Sequence, residues 1–182
     1  MKPIDQLRIF LEQHADENHF LFQASDFSAL FPRMSSAALK MLLGRAVKNH
    51  ILERVCRSVY CYEKACPRRD TLLYRVAAKL RAGDFCYLSF ESVLSEAGII
   101  SQIPLNWVTL MTGGRSGVIH CGALGHIEFI HTRQKPADVA GQLLYDADYG
   151  LWRASSQLAL RDMRAAKRPL DLVSDEENSD AF

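Results

Sequence analysis

Three cysteines at equal spacing are the first place where this 182-residue sequence could bind a metal ion, at Cys56, Cys61 and Cys66. A structural zinc site usually needs a close cysteine pair and a matching second pair of ligands, and no second pair follows here. On an unbroken strand Cys56 and Cys61 would also face opposite sides. We therefore expect small buried or half-buried thiols, and no metal, at these positions.

A second group of metal-ligand residue types consists of His120, Cys121, His126 and His131. The surrounding sequence predicts strands, on which neighbouring side chains point to opposite faces. Three of these four side chains would therefore rarely meet at one ion. We expect no metal ion there.

A nucleophile and base could be assembled from Ser116 or Cys121 with His120 or His131. The Gly-x-Ser-x-Gly setting that presents a serine nucleophile on a strained turn is missing. The segment 113–117, GGRSG, resembles a phosphate loop but lacks its Lys-Ser/Thr pair, so we predict a hairpin turn between two strands. An enzyme on residues 83–170 that uses Ser116, His120 or His131 thus has little motif support, and we expect no catalytic residue and no cofactor.

Basic residues on one predicted helix indicate a different chemistry, the binding of nucleic acid. Apolar spacing predicts this helix over 37–49, capped by Ser35 or Ser36. The predicted buried stripe is Leu39, Leu43, Ala46 and Val47. The other faces carry small and basic side chains: Ser36, Ala37, Lys40, Gly44, Arg45 and Lys48. A helix that enters a major groove needs little bulk and several donors. An ordinary solvent-exposed amphipathic helix would show the same pattern.

A hairpin is predicted directly after this helix, over 51–62, with its turn at Arg57-Ser58. Earlier patterns predict a helix over 3–15, a short strand at 20–22 and a helix over 25–31 capped by Ser25. Three short helices followed by a hairpin are typical of a winged helix-turn-helix, whose wing lies along the phosphate backbone. The residues predicted to contact DNA are Ser36, Lys40, Arg45, Lys48, Arg54 and Arg57.

The net charge of residues 1–66 is only +2, from nine basic and seven acidic residues. This is low for a stand-alone DNA-binding domain. A protein-interaction module, whose winged helix no longer binds DNA, is therefore the alternative.

In the second half of the chain, the apolar patterns predict a mixture of helices and strands. Helices are predicted over 71–82, 89–97, 137–146 and 155–167, and strands over 85–88, 107–112, 118–121 and 127–131. Ser89 and Ser92 are predicted to cap the second of these helices. The predicted class is α+β: a winged helix over 1–66, then a mixed domain over 67–170 with a small antiparallel sheet flanked by helices.

Charge is unevenly distributed along the chain. Residues 171–182 hold five acids and no base, which predicts a disordered acidic tail. Without them, 22 basic residues face 16 acidic ones, so the body of the chain is basic. No apolar run approaches the roughly 20 residues that span a bilayer, and no secretory signal is visible. We expect a cytoplasmic protein without a membrane partner.

Four arginines of the second half are candidates for binding a partner. Arg115 is predicted at the tip of the 113–117 turn, and Arg161, Arg164 and Arg168 on one face of the last helix. They would contact an acidic surface or a nucleic acid. Pairing of the last three with the acidic tail would explain them equally well.

Several segments in this order resemble the AbiEi family of bacterial antitoxins. They are LERVCRSVY (52–60), YLSFESVLSEAG (87–98), TLMTGGRSG (109–117), IEFIHT (127–132) and ASSQLALRD (154–162). The resemblance covers roughly residues 3–170, and the order of the segments carries its specificity.

The resemblance implies a non-enzymatic antitoxin of a type IV toxin–antitoxin or abortive-infection system, which serves in phage defence. The N-terminal winged helix would bind inverted repeats in its own promoter and repress transcription. The second domain would neutralise a nucleotidyltransferase-like (AbiEii-type) toxin, directly or functionally. Because one winged helix binds weakly, a homodimer or two sites on a palindrome is expected.

Overall fold

The computed structural model describes residues 1–100 and 106–169. It divides into two compact units: the N-terminal unit, Met1–Asp70, and the C-terminal unit, which begins at Thr71. Both contain helices and a β-sheet, so the α+β class is correct. The predicted acidic tail, 171–182, lies outside the described residues.

The N-terminal unit has two helices and three short strands. They are α1 (Pro3–His14), β1 (Leu21–Gln23), α2 (Ser36–Lys48), β2 (Glu53–Arg54) and β3 (Val59–Cys61). The strands form an antiparallel sheet in the order β1–β3–β2, in which Phe22 and Arg54 both lie opposite Tyr60. The core contains fully buried side chains from α1 and α2, among them Leu7, Leu11 and Leu43.

The prediction of a helix over 25–31 is wrong. This segment forms a single 3₁₀ turn, at Asp26–Ser28. Ser25 makes no capping bond with its side chain. Instead the Asp26 carboxylate accepts the backbone N–H of Gln23 at 2.9 Å, and the Ser28 hydroxyl donates to the Ser25 carbonyl at 2.6 Å. These local bonds compete with a helical backbone.

Within residues 71–100 and 106–169, the C-terminal unit contains four α-helices and six strands. The helices are α3 (Leu72–Leu80), α4 (Glu91–Glu96), α5 (Pro136–Val139) and α6 (Ser156–Ala165). The strands are β4 (Cys86–Leu88), β5 (Trp107–Thr112), β6 (Gly117–His120), β7 (His126–His131), β8 (Leu143–Asp146) and β9 (Leu151–Ala154). They form one sheet in the order β6–β7–β5–β4–β9–β8.

This sheet is mixed, and the prediction of an antiparallel sheet is wrong. The pairs β4–β9 and β5–β7 are parallel. Because β7 lies between β5 and β6, the segment 113–117 is a crossover connection and the hairpin predicted there is absent. The Ser116 hydroxyl accepts the backbone N–H of His131 at 2.8 Å, which fastens this connection to the end of β7.

The helix predicted over 137–146 is wrong beyond Gln142. Leu143–Asp146 forms β8, which pairs with β9, a strand that the sequence analysis missed. The turn between them is held by Asp146, whose carboxylate accepts the N–H of Tyr149 at 3.0 Å and whose carbonyl accepts that of Gly150 at 2.8 Å. Gly150 has a φ of 66°, a conformation that favours glycine.

The capping roles predicted for Ser89 and Ser92 are also wrong. The Ser89 hydroxyl donates to the Asp162 carboxylate at 2.8 Å, and that of Ser92 accepts the backbone N–H of Thr109 at 3.0 Å. Both serines are buried, so they connect α4 to its neighbours rather than completing its first turn. Ser155 does cap α6, since its hydroxyl accepts the N–H of Leu158 at 3.2 Å.

Candidate nucleic-acid interface

Helix α2 exposes one side of its surface. Ser35 starts the helix, because its hydroxyl accepts the backbone N–H of Ala38 at 3.2 Å. The buried side chains are Leu39, Leu42, Leu43 and Ala46. Val47, predicted to be buried with them, is only half-buried, and Leu42 takes its place in the core. We call the exposed residues on the opposite side the basic face: Ala37, Lys40, Met41, Gly44, Arg45 and Lys48.

The cations of the basic face are available to a ligand. Within residues 1–100 and 106–169, no side-chain hydrogen bond or ion pair engages Lys40, Arg45 or Lys48. The sequence explains this, since no acidic residue occurs between Asp26 and Glu53. Ser36 is exposed at the start of the same helix. The structure therefore leaves all four predicted α2 contacts open to solvent, in surroundings of positive charge.

Arg54 and Arg57 differ in what they contact. The Arg54 guanidinium donates to two carbonyls of its own loop, that of Cys56 at 3.3 Å and that of Arg57 at 3.0 Å. It thereby closes the loop between β2 and β3, whose tip exposes Arg57 and Ser58. Among the described residues no side-chain hydrogen bond or ion pair engages the Arg57 guanidinium, which is exposed to solvent.

An ion-pair cluster at the base of this hairpin had no signal in the sequence analysis. Arg69 donates to Glu53 at 2.8 and 3.0 Å and to Glu63 at 2.7 Å. The hydrogen bond from Arg69 lowers the pKa of Glu53 below its usual range. Only the fold shows this cluster, because its members are separated by up to 16 residues.

The cysteines are placed as predicted, with Cys56 and Cys61 buried and Cys66 half-buried. Burial raises the pKa of the Cys61 thiol. In the second group, the rings of His120 and His126 meet edge to face at 4.7 Å, while Cys121 is buried. In the part of the chain that the structure describes, no three or more potential metal ligands come together.

Ser116 and His131, considered above as a nucleophile and base, are in contact through the backbone N–H of the histidine. Ser116 contacts the backbone of His131, whereas the His131 ring faces elsewhere, with Nδ1 2.8 Å from the Gly114 carbonyl oxygen. These contacts position a connection between strands.

Arg168 contacts its own unit. Its guanidinium lies 2.6 Å from Glu128 and 3.6 Å from Glu91. Helix α6 ends at Ala165 and Lys167 has a φ of 55°, so Arg168 lies beyond the helix and does not share a helical face with Arg161 and Arg164. The predicted common face is wrong for this residue.

The other three arginines are exposed. Arg161 donates to the side-chain oxygen of Gln134 at 2.7 Å. The carbonyl of Arg115 accepts from Arg81 at 3.0 Å, and Arg115 is exposed. Arg164 is exposed on α6. These positions can be reached by a partner.

A buried carboxylate is the main polar feature of the C-terminal unit, and the sequence analysis missed it. Asp162 is fully buried and accepts hydrogen bonds from Tyr87 at 3.0 Å, Ser89 at 2.8 Å and Gln134 at 3.2 Å. Burial and the Asp162 charge raise the pKa of Tyr87. A polar residue at a helical position that spacing assigns to the core is the signal that could have identified it.

A second cluster surrounds Glu96. Tyr74 and Tyr149 stack in parallel at 3.9 Å and both donate to one Glu96 oxygen, at 3.3 and 3.1 Å. Arg153 binds the other oxygen at 2.6 Å. Burial, and next the Glu96 charge, raise the pKa of Tyr149 to about 12. The cluster joins α3, α4 and the β8–β9 hairpin.

No helix among the described residues is long and apolar enough to cross a bilayer. Comparison of the chain with protein-family models and with curated proteins gave no match.

Proposed function

We propose that this protein is a DNA-binding repressor and the antitoxin of a nucleotidyltransferase-like toxin. The N-terminal unit would act as a winged helix on inverted repeats in its own promoter, and the C-terminal unit would counter the toxin, directly or functionally. The proposal places the protein in the cytoplasm, where both partners occur, and gives it no enzymatic role.

The observation that carries the DNA-binding half is the basic face. A helix with unpaired cations and little bulk, followed by a short hairpin with an exposed arginine, suits a major groove and its flanking phosphates. The element order α1–β1–α2–β2–β3 and the sheet order β1–β3–β2 support a winged helix, with a 3₁₀ turn in place of the middle helix.

The test is a gel shift with DNA from upstream of the gene, using the variant Lys40→Ala/Arg45→Ala. We expect at least tenfold weaker binding at low salt. The slope of log affinity against log salt should fall by about 1.8, since each phosphate contact contributes about 0.9. Because both residues are exposed, stability should change by less than about 0.5 kcal/mol.

The matched control is Arg8→Ala/Lys64→Ala, which removes the same charge from exposed positions of the same unit outside α2. It should retain most of the affinity. Equal binding by the Lys40/Arg45 variant and the parent protein would show that α2 is not the contact surface.

The antitoxin half is supported by the resembling segments and by where they lie. Segments 87–98, 127–132 and 154–162 supply Tyr87, Ser89, Glu128 and Asp162, which hold the C-terminal unit together. A nucleotidyltransferase-like gene next to this one should be toxic when expressed alone. Co-expression of this protein should restore growth, and co-expression of the N-terminal unit alone should not.

The alternative is a protein-interaction module whose winged helix no longer binds DNA. The low charge of the N-terminal unit favours it, as does an open, largely apolar cleft of about 640 Å³ beside the start of α2. This cleft is lined by Leu30, Phe31, Pro32, Arg33, Met34, Ser35 and Ala38. Failure to shift any DNA, together with rescue from the toxin, would select this alternative.

A further inference from the structure

The middle of the basic face is apolar, and its cations lie mainly at the edges. At 3.6 residues per turn, Ala37, Met41 and Gly44 line the centre of the exposed side, and Lys48 continues that line. Lys40 and Arg45 are about 140° apart around the helix axis, one on each flank. The two flanks therefore present cations on either side of the apolar centre, where a groove has a phosphate backbone on each side.

Met41 is the large apolar side chain at this centre, and it is 66% exposed. The fold makes little use of it, since the core side of α2 is occupied by the four buried residues named above. An exposed apolar side chain between two cations fits a ligand that has an apolar group between two lines of negative charge. In the DNA major groove that group is the 5-methyl of thymine.

Gly44 provides an independent observation. A glycine inside a helix lowers its stability relative to alanine. Here the fold does not require it, because a Cβ atom at Gly44 would meet nothing within 4 Å. Its place at the centre of the face instead allows a close approach by whatever the helix binds.

We propose that Met41, beside Ala37 and Gly44, contacts thymine methyl groups in the major groove, while Lys40 and Arg45 hold the two phosphate backbones. This inference rests on the proposed DNA binding and deepens it, because it names the base that the face recognises. It assigns the recognition of sequence to Met41 and its small neighbours, and the affinity to the cations on the flanks.

The experiment compares two forms of the same DNA, amplified from upstream of the gene with dTTP or with dUTP. Uracil keeps the base-pairing groups and the phosphates but lacks the methyl group. The parent protein should bind the uracil form about fourfold more weakly, as expected from one lost methyl contact. Met41→Ala should bind both forms equally, at the affinity that the parent shows for the uracil form.

Ile9→Ala is the matched control, since Ile9 is another exposed apolar residue of the same unit, 40% exposed on α1. It should retain the fourfold preference for thymine. Circular dichroism checks that each variant is folded, and alanine at an exposed helical position should not disturb α2.

Each remaining outcome is decisive. If Met41→Ala keeps the parent's preference for thymine, or if the parent binds both forms tightly and equally, the inference is wrong while the proposed DNA binding stands. If the parent does not prefer upstream DNA to unrelated DNA of equal length at low salt, the proposed function fails, and the inference with it.

Discussion

The cations of α2 and the arginines of the C-terminal unit carry the same charge but differ in what they contact. Lys40 and Arg45 engage no side-chain partner among the described residues. Arg168 binds Glu128 and Glu91, and Arg153 binds Glu96. A cation without a side-chain partner is open to a phosphate, whereas a cation paired with a carboxylate stabilises its own fold. The partner, rather than the charge, makes this difference.

The difference has a cause in the distribution of acids. No carboxylate occurs between Asp26 and Glu53, so α2 has none on its own length. In the C-terminal unit, Glu91 and Glu96 begin and end α4, and Glu128 lies in β7, where the fold brings them to arginines distant in sequence. Variants at four positions, each with a control or a measurement of its own, test the two units.

The largest effect is expected from Asp162→Ala, which leaves the buried hydroxyls of Tyr87 and Ser89 without their acceptor. The C-terminal unit should lose about 3 kcal/mol, the cost of orphaned buried polar groups. Both tryptophans of the sequence lie in this unit, so tryptophan fluorescence in urea measures its unfolding. Asp162→Asn, which keeps the volume and one acceptor, should lose less. A loss below 1 kcal/mol from the alanine variant would mean that the cluster contributes little.

Arg168→Ala removes an ion-paired arginine, whereas the α2 variants remove cations without a side-chain partner among the described residues. It should lower the stability of the C-terminal unit by about 1–2 kcal/mol, because Glu128 and Glu91 lose their cation. Binding to the upstream DNA should be unchanged, as measured by the same gel shift. Weaker DNA binding with unchanged stability would reverse the comparison, since Arg168 would then act as a contact residue.

Gly44→Ala should stabilise the N-terminal unit by about 0.5–1 kcal/mol, because alanine favours the helix and its Cβ meets no neighbour. Hydrogen exchange of the α2 amides, followed by mass spectrometry, measures the change. Gly83→Ala, also without a neighbour within 4 Å but outside any helix, is the control and should leave α2 unaffected. If exchange in α2 is as fast in Gly44→Ala as in the parent, then Gly44 does not lower the stability of the helix.

The smallest effect concerns Arg69, which is ion-paired although it lies in the same unit as the open cations of α2. Its hydrogen bond lowers the pKa of Glu53, so the pair stabilises the fold above the usual value of 4.5 and is lost as pH falls through the lower folded value. Arg69→Gln should therefore reduce stability at pH 7, and its difference from the parent should shrink towards pH 3. The effect should stay below about 1 kcal/mol, because the pair is half-exposed.

Arg68→Gln, at the neighbouring position, is the control for this pH dependence. Arg68 pairs with Asp70 rather than with Glu53. Urea midpoints of all three proteins between pH 7 and pH 3 give the measurement. An unchanged gap between Arg69→Gln and the parent across this range would contradict the pairing.

The sequence by itself determined the elements whose signals are local. Spacing and capping residues located α1, α2 and α6, and the β-branched and aromatic runs located β4, β5 and β7. The exposed cations of α2 followed from the same spacing, because a helix that buries one stripe must expose the other. These features depend on neighbours within a few residues.

Only the tertiary structure decided the pairing of distant groups. It placed β7 between β5 and β6, and it turned residues 143–146 into a strand because β9 was there to pair with them. It directed Ser89 to Asp162, 73 residues away, and Arg168 to Glu128. Such partners meet because burial requires each polar group to be satisfied, and which group is nearby depends on the whole fold.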